Sequence, residues 1–191
     1  MLKLAVFVSG RGSNLAAIVA KIKSGYLSAK VCMVVSNKKE CKAFEICIDE
    51  KIPTYVVDTN DSYEDLIEIL DNENIELIVL AGFLKKIPIN LIQRFKNKII
   101  NIHPALLPAF GGKGMYGLNV HNAVLKSSSK VSGATIHFVD EIYDNGKIIE
   151  QREVDISDVK TAEEIAAKVL KVEHELLPDV IKKFAEKKIK F

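Results

Sequence analysis

The chain opens on Leu2-Lys3-Leu4-Ala5-Val6-Phe7-Val8-Ser9-Gly10-Arg11-Gly12-Ser13-Asn14-Leu15. Leu2 to Val8 is a short apolar run, which reads as a buried parallel strand. A glycine turn follows, and apolar residues then recur at Leu15, Ile18, Val19 and Ile22 with helical spacing. A turn of this kind leaves free backbone N–H groups at a helix start, where the peptide dipole favours an anion, commonly phosphate. Ser13 or Asn14 suits the N-cap. A plain tight turn fits the same letters, so both readings stay open. The turn is not a P-loop, because no Gly-Lys-Ser/Thr follows. It is not the dinucleotide fingerprint either: the third glycine would fall at Leu15, and the second strand ends in Ser36-Asn37 without an acid.

The unit repeats outward. Val31–Val35, Thr54–Val57, Glu76–Leu80 and Lys98–Ile102 read as further strands. Between them lie helical patterns over Ala43–Lys51, from Ser62 through Leu70, and from Pro88 to Phe95. Alternation of this kind over about 100 residues predicts a doubly wound parallel α/β sheet. The pattern then changes. Val131–Val139 and Lys147–Val154 read as strands around a turn at Asn145-Gly146, which predicts an antiparallel C-terminal edge. Asn119–Lys126 reads as a helix. Thr161 and Glu164 fit a capping box that opens a long last helix, which Pro178 should kink or divide.

The fifth strand runs into Asn101-Ile102-His103-Pro104-Ala105-Leu106-Leu107-Pro108. Side chains alternate along a strand, so Asn101 and His103 can point to the same side. Pro104 forces the chain out of regular pairing. Ligands of open α/β sheets bind at the strand C-terminal ends, where these two groups would sit. Ala109–Leu118 holds Gly111, Gly112, Gly114 and Gly117. It reads as a mobile lid over Asn101 and His103 or as a solvent loop.

At 191 residues the chain is read as one domain, 1–191, able to bury roughly 70% of its unfolded surface. A hydrophobic content of 48%, a charged content of 27% and a net charge of +2 are ordinary for a globular protein and imply no nucleic-acid field. The lysines from Lys182 to Lys190 read as a solvated helix face. No stretch is long enough to span a membrane, and the short run Leu4–Val8 lacks the features of a signal peptide. Cys32, Cys41 and Cys47 are an odd set at no metal spacing and read as reduced, buried thiols of a cytoplasmic protein. Four scattered histidines without a His-Glu-x-x-His argue against zinc. Asn and His together suit acyl transfer, donating hydrogen bonds to a tetrahedral oxyanion; a carboxylate would hold the imidazolium. These residues alone do not say which of the 25 acids does so.

Four segments occur in order: Ser9-Gly-Arg-Gly-Ser-Asn-Leu15, Ala81-Gly-Phe-Leu84, Asn101-Ile-His-Pro-Ala-Leu-Leu-Pro108, and His137-Phe-Val-Asp followed by Asp144-x-Gly146. With Glu173-His174 in the last helix, the set resembles the folate-dependent formyltransferase family, and within it the branch that formylates glycinamide ribonucleotide in purine synthesis. The resemblance covers nearly the whole chain and implies a Rossmann-like fold. It implies a ribonucleotide-phosphate half over 1–100 and a catalytic, folate-binding half over 101–191. By position, Gly12, Ser13 and Asn14 would cradle the ribonucleotide phosphate, and Glu173 would contact the ribonucleotide. Leu84, Lys85, Lys86, Ile87, Asn101, Asp140, Glu141, Ile142 and Tyr143 would line the folate site. Asn101, His103 and Asp144 would be catalytic, with Asp144 supporting His103. His121 and His137 also match family positions, His137 as a packed wall residue. The implied co-substrate is 10-formyltetrahydrofolate, with small-molecule substrates, no metal, no nucleic acid, no membrane, and a monomer or homodimer.

The chain departs from the family in three places, one of them a glycine-rich loop longer than in some members. Members often carry Arg where this chain has Lys85, and another Arg near Asn60 and Asp61. A lysine cannot fork onto a carboxylate, which bears on folate-tail binding rather than on the reaction. A tRNA formyltransferase would need a further domain that these 191 residues do not hold, and a formyltetrahydrofolate deformylase usually carries one before the first strand. The remaining alternatives are a related formyltetrahydrofolate-using hydrolase and a non-catalytic phosphate-ligand module.

Overall fold

The computed structural model describes residues 1–57 and 63–190. Asn60, Asp61 and the expected helix start at Ser62 lie outside the described residues. In chain order the elements are β1 (Leu2–Val8), α1 (Ser13–Lys23), β2 (Ala29–Ser36), α2 (Ala43–Glu50), β3 (Thr54–Val56), α3 (Glu64–Asn72) and β4 (Leu77–Leu80). They continue with α4 (Ile89–Arg94), β5 (Ile99–His103), α5 (Leu118–Lys126), β6 (Val131–Phe138), β7 (Ile148–Asp155) and α6 (Ala162–Ala185). The strands form one seven-stranded sheet in the order β3-β2-β1-β4-β5-β6-β7. β1 to β5 pair in parallel, whereas β6 and β7 run antiparallel. The expected doubly wound sheet with an antiparallel C-terminal edge is therefore the observed one.

The apolar runs of the parallel strands follow from burial on both faces. Along β1, Leu4, Val6 and Val8 pack on one side with Leu15 and Ile18 of α1 and with Val169, Leu177 and Phe184 of α6. Ala5 and Phe7 point the other way, toward Leu66 and Leu70 of α3 and Leu91 of α4. Phe7 meets Phe83 edge to face, with ring centroids 5.4 Å apart. Winding reverses between β1 and β4: the chain moves outward from β1 to β3, then returns to the other side of β1. That switch point opens a crevice at the carboxyl ends of β1, β4 and β5.

Two local expectations are corrected. The N-cap of α1 is Gly12, at φ 77, rather than Ser13 or Asn14. A Cβ at Gly12 would lie 2.6 Å from the Ala43 Cβ, so close packing against α2 requires glycine there. Pro178 does not divide α6, which continues from Ala162 to Ala185. Pro178 costs the helix one N–H donor, but Leu176, Leu177, Val180 and Ile181 around it are fully buried against the sheet, and that packing carries the helix through. The Thr161 capping box is present: Thr161 Oγ1 accepts from Glu164 N–H at 3.2 Å, and Glu164 Oε2 accepts from Thr161 N–H at 3.0 Å. The three cysteines are free and buried. Among the described residues no helix is long and apolar enough to cross a membrane.

The antiparallel edge depends on Gly133 in β6. A Cβ there would approach the backbone oxygen of Arg152 in β7 to 2.2 Å. Gly133→Ala should lower stability by roughly 1–3 kcal/mol, the usual range for forcing atoms into a filled space. Urea or thermal unfolding measures it; an unchanged midpoint would mean that β6 and β7 are less closely paired than described.

Candidate functional site

The carboxyl ends of β1, β4 and β5 open into a cavity of about 1060 Å³. All of the sequence-predicted site residues line it: Gly12, Ser13 and Asn14 from the first turn; Leu84, Lys85, Lys86 and Ile87 after β4; Asn101 and His103 from β5; Asp140, Glu141, Ile142, Tyr143 and Asp144 after β6; and Glu173 from α6. Segments far apart in sequence thus share one cavity, because the sheet order places the ends of β1, β4, β5 and β6 side by side.

β5 does as its alternation requires. Ile100 and Ile102 enter the core on one face, and Asn101 and His103 project from the other. The loop behind is pinned by Thr135 in β6: its hydroxyl donates to Ala105 O at 2.6 Å and accepts from Leu107 N–H at 3.1 Å. Gln151 Nε2 adds bonds to Leu107 O and to Thr135 Oγ1, both at 2.9 Å.

His137 stands directly opposite Asn101 in the β5–β6 pairing. Its Nδ1 is 2.8 Å from the carbonyl oxygen of Phe138, which can only accept, so Nδ1 carries the proton. The bare Nε2 then accepts from the Asn101 amide Nδ2 at 3.1 Å. His137 is therefore more than wall packing: the cross-strand register places it where it orients the Asn101 amide. The tautomer depends on a backbone carbonyl, which no spacing of letters reveals.

Asp144 sits in the turn after β6 with φ 53, a left-handed conformation that Asp tolerates better than most residues. The turn itself is held by Asp140, which accepts from Ile142 N–H at 2.9 Å and Asn145 Nδ2 at 3.3 Å. Asp144 is therefore not the turn-capping acid. Its carboxylate faces His103 Nδ1 and His137 Nε2, each at 3.6 Å, and accepts from Gly112 N–H at 2.9 Å. Burial pushes its pKa up, yet the net shift is downward, with the His103 ring and the Gly112 amide among the groups that favour the carboxylate.

His103 is 3% exposed. Burial lowers its pKa; Asp144 and a hydrogen bond to Phe110 O at 2.7 Å raise it, and the net shift is downward. The expected imidazolium at neutral pH is thus not what the free protein favours: desolvation exceeds the pull of a carboxylate 3.6 Å away. His121 of α5 also lines the cavity. Burial, with a smaller contribution from His103, pushes its pKa down to about 4, and its Nδ1 has no hydrogen-bond partner.

The Ala109–Leu118 segment is part of the site wall rather than a solvent loop. Phe110 and Met115 pack on the core, and Gly112 to Leu118 line the cavity. At the first turn, Ser9 Oγ donates to Asn37 Oδ1 at 2.6 Å and accepts from Leu84 N–H at 2.8 Å, so the end of β1 aims the loop that leaves β4. Asn14 does not cap its helix; its Nδ2 donates to Glu173 Oε2 at 2.8 Å across the crevice. Burial pushes the Glu173 pKa up to about 7, against the pull of that hydrogen bond. Lys86 lies 5.9 Å from the Tyr143 ring, joining two walls of the mouth. Leu84, Ile142, Tyr143 and Tyr116 leave that mouth apolar and exposed. Among the described residues no group of three His, Cys, Asp or Glu residues could hold a metal ion.

A doubly wound sheet with an Asn–His–Asp cleft at its switch point describes an α/β enzyme built for small, partly apolar ligands. Residues 2–181 match the sequence model of the formyl transferase family, and the chain belongs to that family. An Arabidopsis thaliana relative named phosphoribosylglycinamide formyltransferase, chloroplastic, is 44% identical over 99% of this chain and 67% of its own length. A Bacillus subtilis relative named phosphoribosylglycinamide formyltransferase is 39% identical over 95% of this chain and 94% of its own. The crystal structure of phosphoribosylglycinamide formyltransferase from Anaplasma phagocytophilum superposes with a TM-score of 0.91 at 36% identity, covering 100% of this chain and 89% of that one.

The buried Glu173 carboxyl makes stability depend on pH. It loses its proton near 4.5 in the unfolded chain and near 7 in the folded protein. Its contribution is therefore full below pH 4.5 and is lost as pH rises through 7. Thermal melts should show wild type losing stability relative to Glu173→Gln between pH 4.5 and 8. Parallel profiles would mean that this carboxyl does not hold its proton on folding.

Proposed function

We propose that the protein transfers the formyl group of 10-formyltetrahydrofolate to the amine of phosphoribosylglycinamide, a step of purine synthesis. The observation that carries this reading is the convergence of Asn101, His103 and Asp144 on one cavity that also holds the Gly12–Asn14 turn. The names of the relatives support it.

In this reading the ribonucleotide phosphate sits on the N–H groups of the Gly12–Asn14 turn, and Glu173 contacts the ribonucleotide. The folate takes the apolar mouth formed by 84–87 and 140–143, with Lys85 and Lys86 as point charges near its carboxylates. The amine lone pair attacks the formyl carbon. The C–O π pair moves to oxygen and gives a tetrahedral oxyanion. One N–H of Asn101 is held by His137, so the amide plane is set and its second N–H is free for that oxyanion. His103 donates a second bond when protonated, and the growing negative charge joins Asp144 in favouring the imidazolium. The intermediate collapses by breaking the bond to the folate N10. That nitrogen leaves with the proton that the amine gives up. The substrates are small molecules, the metal-free chemistry needs no further cofactor, and the whole chain 1–191 acts as one catalytic domain. The buried thiols fit the cytoplasm.

The test is direct: mix the protein with phosphoribosylglycinamide and 10-formyltetrahydrofolate and follow tetrahydrofolate release with the formylated amine. Formate release without the ribonucleotide would instead make it a hydrolase. Loss of one oxyanion donor typically costs roughly 10²–10³ in kcat. Asn101→Ala should fold, bind both substrates and lose that much. Turnover near wild type in Asn101→Ala would place the donor elsewhere.

A further inference from the structure

Resting on the transfer chemistry above, we propose that the segment Phe110–Gly112 is a positioning element for His103: the Phe110 carbonyl holds the imidazole by Nε2–H, so that Nδ1, on the Asp144 side, is the nitrogen that gains and loses the proton. His103 Nε2 lies 2.7 Å from Phe110 O. A carbonyl accepts and cannot donate, so Nε2 carries a proton in both the neutral and the charged ring. Nδ1 faces Asp144 Oδ2 at 3.6 Å. The proton that comes and goes is therefore the one on Nδ1, on the side of the carboxylate.

The same segment is fastened a second time. Gly112 N–H donates to Asp144 Oδ2 at 2.9 Å. Two backbone groups two residues apart thus hold the imidazole and its carboxylate and set the place of one against the other. The glycines between and beside them are required for different reasons. A Cβ at Gly111 would lie 2.5 Å from Leu107 Cδ2 and 3.1 Å from Asp144 Cβ. Gly112 has φ +100 and open space around it, so a side chain there meets no atom but strains the backbone. The Phe110 carbonyl also favours the charged ring, alongside Asp144 and against burial. Catalytic orientation is, in this account, a property of a loop backbone whose own side chains play no chemical part.

Long-range ¹H–¹⁵N spectra of the wild-type protein, recorded above the His103 titration, read the tautomer directly. The expected state is protonated Nε2 and bare Nδ1. Gly112→Ala strains the latch without touching His103. It should give mixed tautomers, a His103 midpoint at lower pH, and a kcat lower by roughly tenfold or more. KM for both substrates should change much less than kcat, because the strained amide holds Asp144. A wild-type neutral ring protonated at Nδ1 overturns the proposal. So does a Gly112→Ala protein whose tautomer and midpoint match wild type. Should Gly112→Ala not fold, the wild-type spectrum decides alone. The spectra need no turnover: the expected tautomer in a protein that transfers no formyl group would overturn the transferase reading and leave the tautomer assignment standing.

Discussion

An imidazole is buried at the end of a strand with an acceptor facing each of its nitrogens, and much of the site is arranged around that conflict. Burial of His103 favours the neutral ring. Two groups oppose it: the Asp144 carboxylate on one nitrogen and the Phe110 carbonyl on the other. Neither partner lies on β5. One comes from the turn after β6 and one from the glycine-rich loop, so the poise of one side chain depends on three chain segments holding station. In the proposed reaction this balance is useful. The ring sits below its ordinary pKa in the free protein and gains a reason to protonate as negative charge develops beside it.

The fold supplies the rigidity. β5 lies between a parallel neighbour and an antiparallel one. The parallel side places the first turn and the Ala81–Ile87 exit beside the site through the β1–β4 switch point. The antiparallel side brings His137 opposite Asn101 and Thr135 opposite His103. Thr135 is spent on fastening the loop 105–107, and His137 on aiming the Asn101 amide. α6 closes the far wall, with Glu173 reaching back to Asn14 over 159 positions of sequence.

The sheet was legible in the sequence because buried parallel strands are plain apolar runs and the helices between them keep their period. Site segments were legible where a resemblance supplied their order. What the letters did not show depends on atoms with no letter of their own. Gly12 reads as one glycine of a turn, yet it is fixed by Ala43, which lies 31 positions away. Asp140 and Asp144 flank the same turn, and only the backbone sends one to Asn145 and the other to the imidazoles. The Phe110 carbonyl and the tautomer of His137 are invisible to any motif. Pro178 shows the opposite failure: a strong local rule for breaking a helix yielded to packing along a buried face.

The Asp144 charge works on His103 across 3.6 Å. The most direct measurement is the NMR titration of the His103 ring in the free protein, with and without that charge. Asp144→Asn keeps the shape of the side chain and removes the carboxylate. Burial remains, so the His103 midpoint, already below the ordinary value of about 6.5, should move to still lower pH in the variant. A midpoint that stays where it was, or rises, would contradict the account and leave Asp144 as a residue of the turn and nothing more.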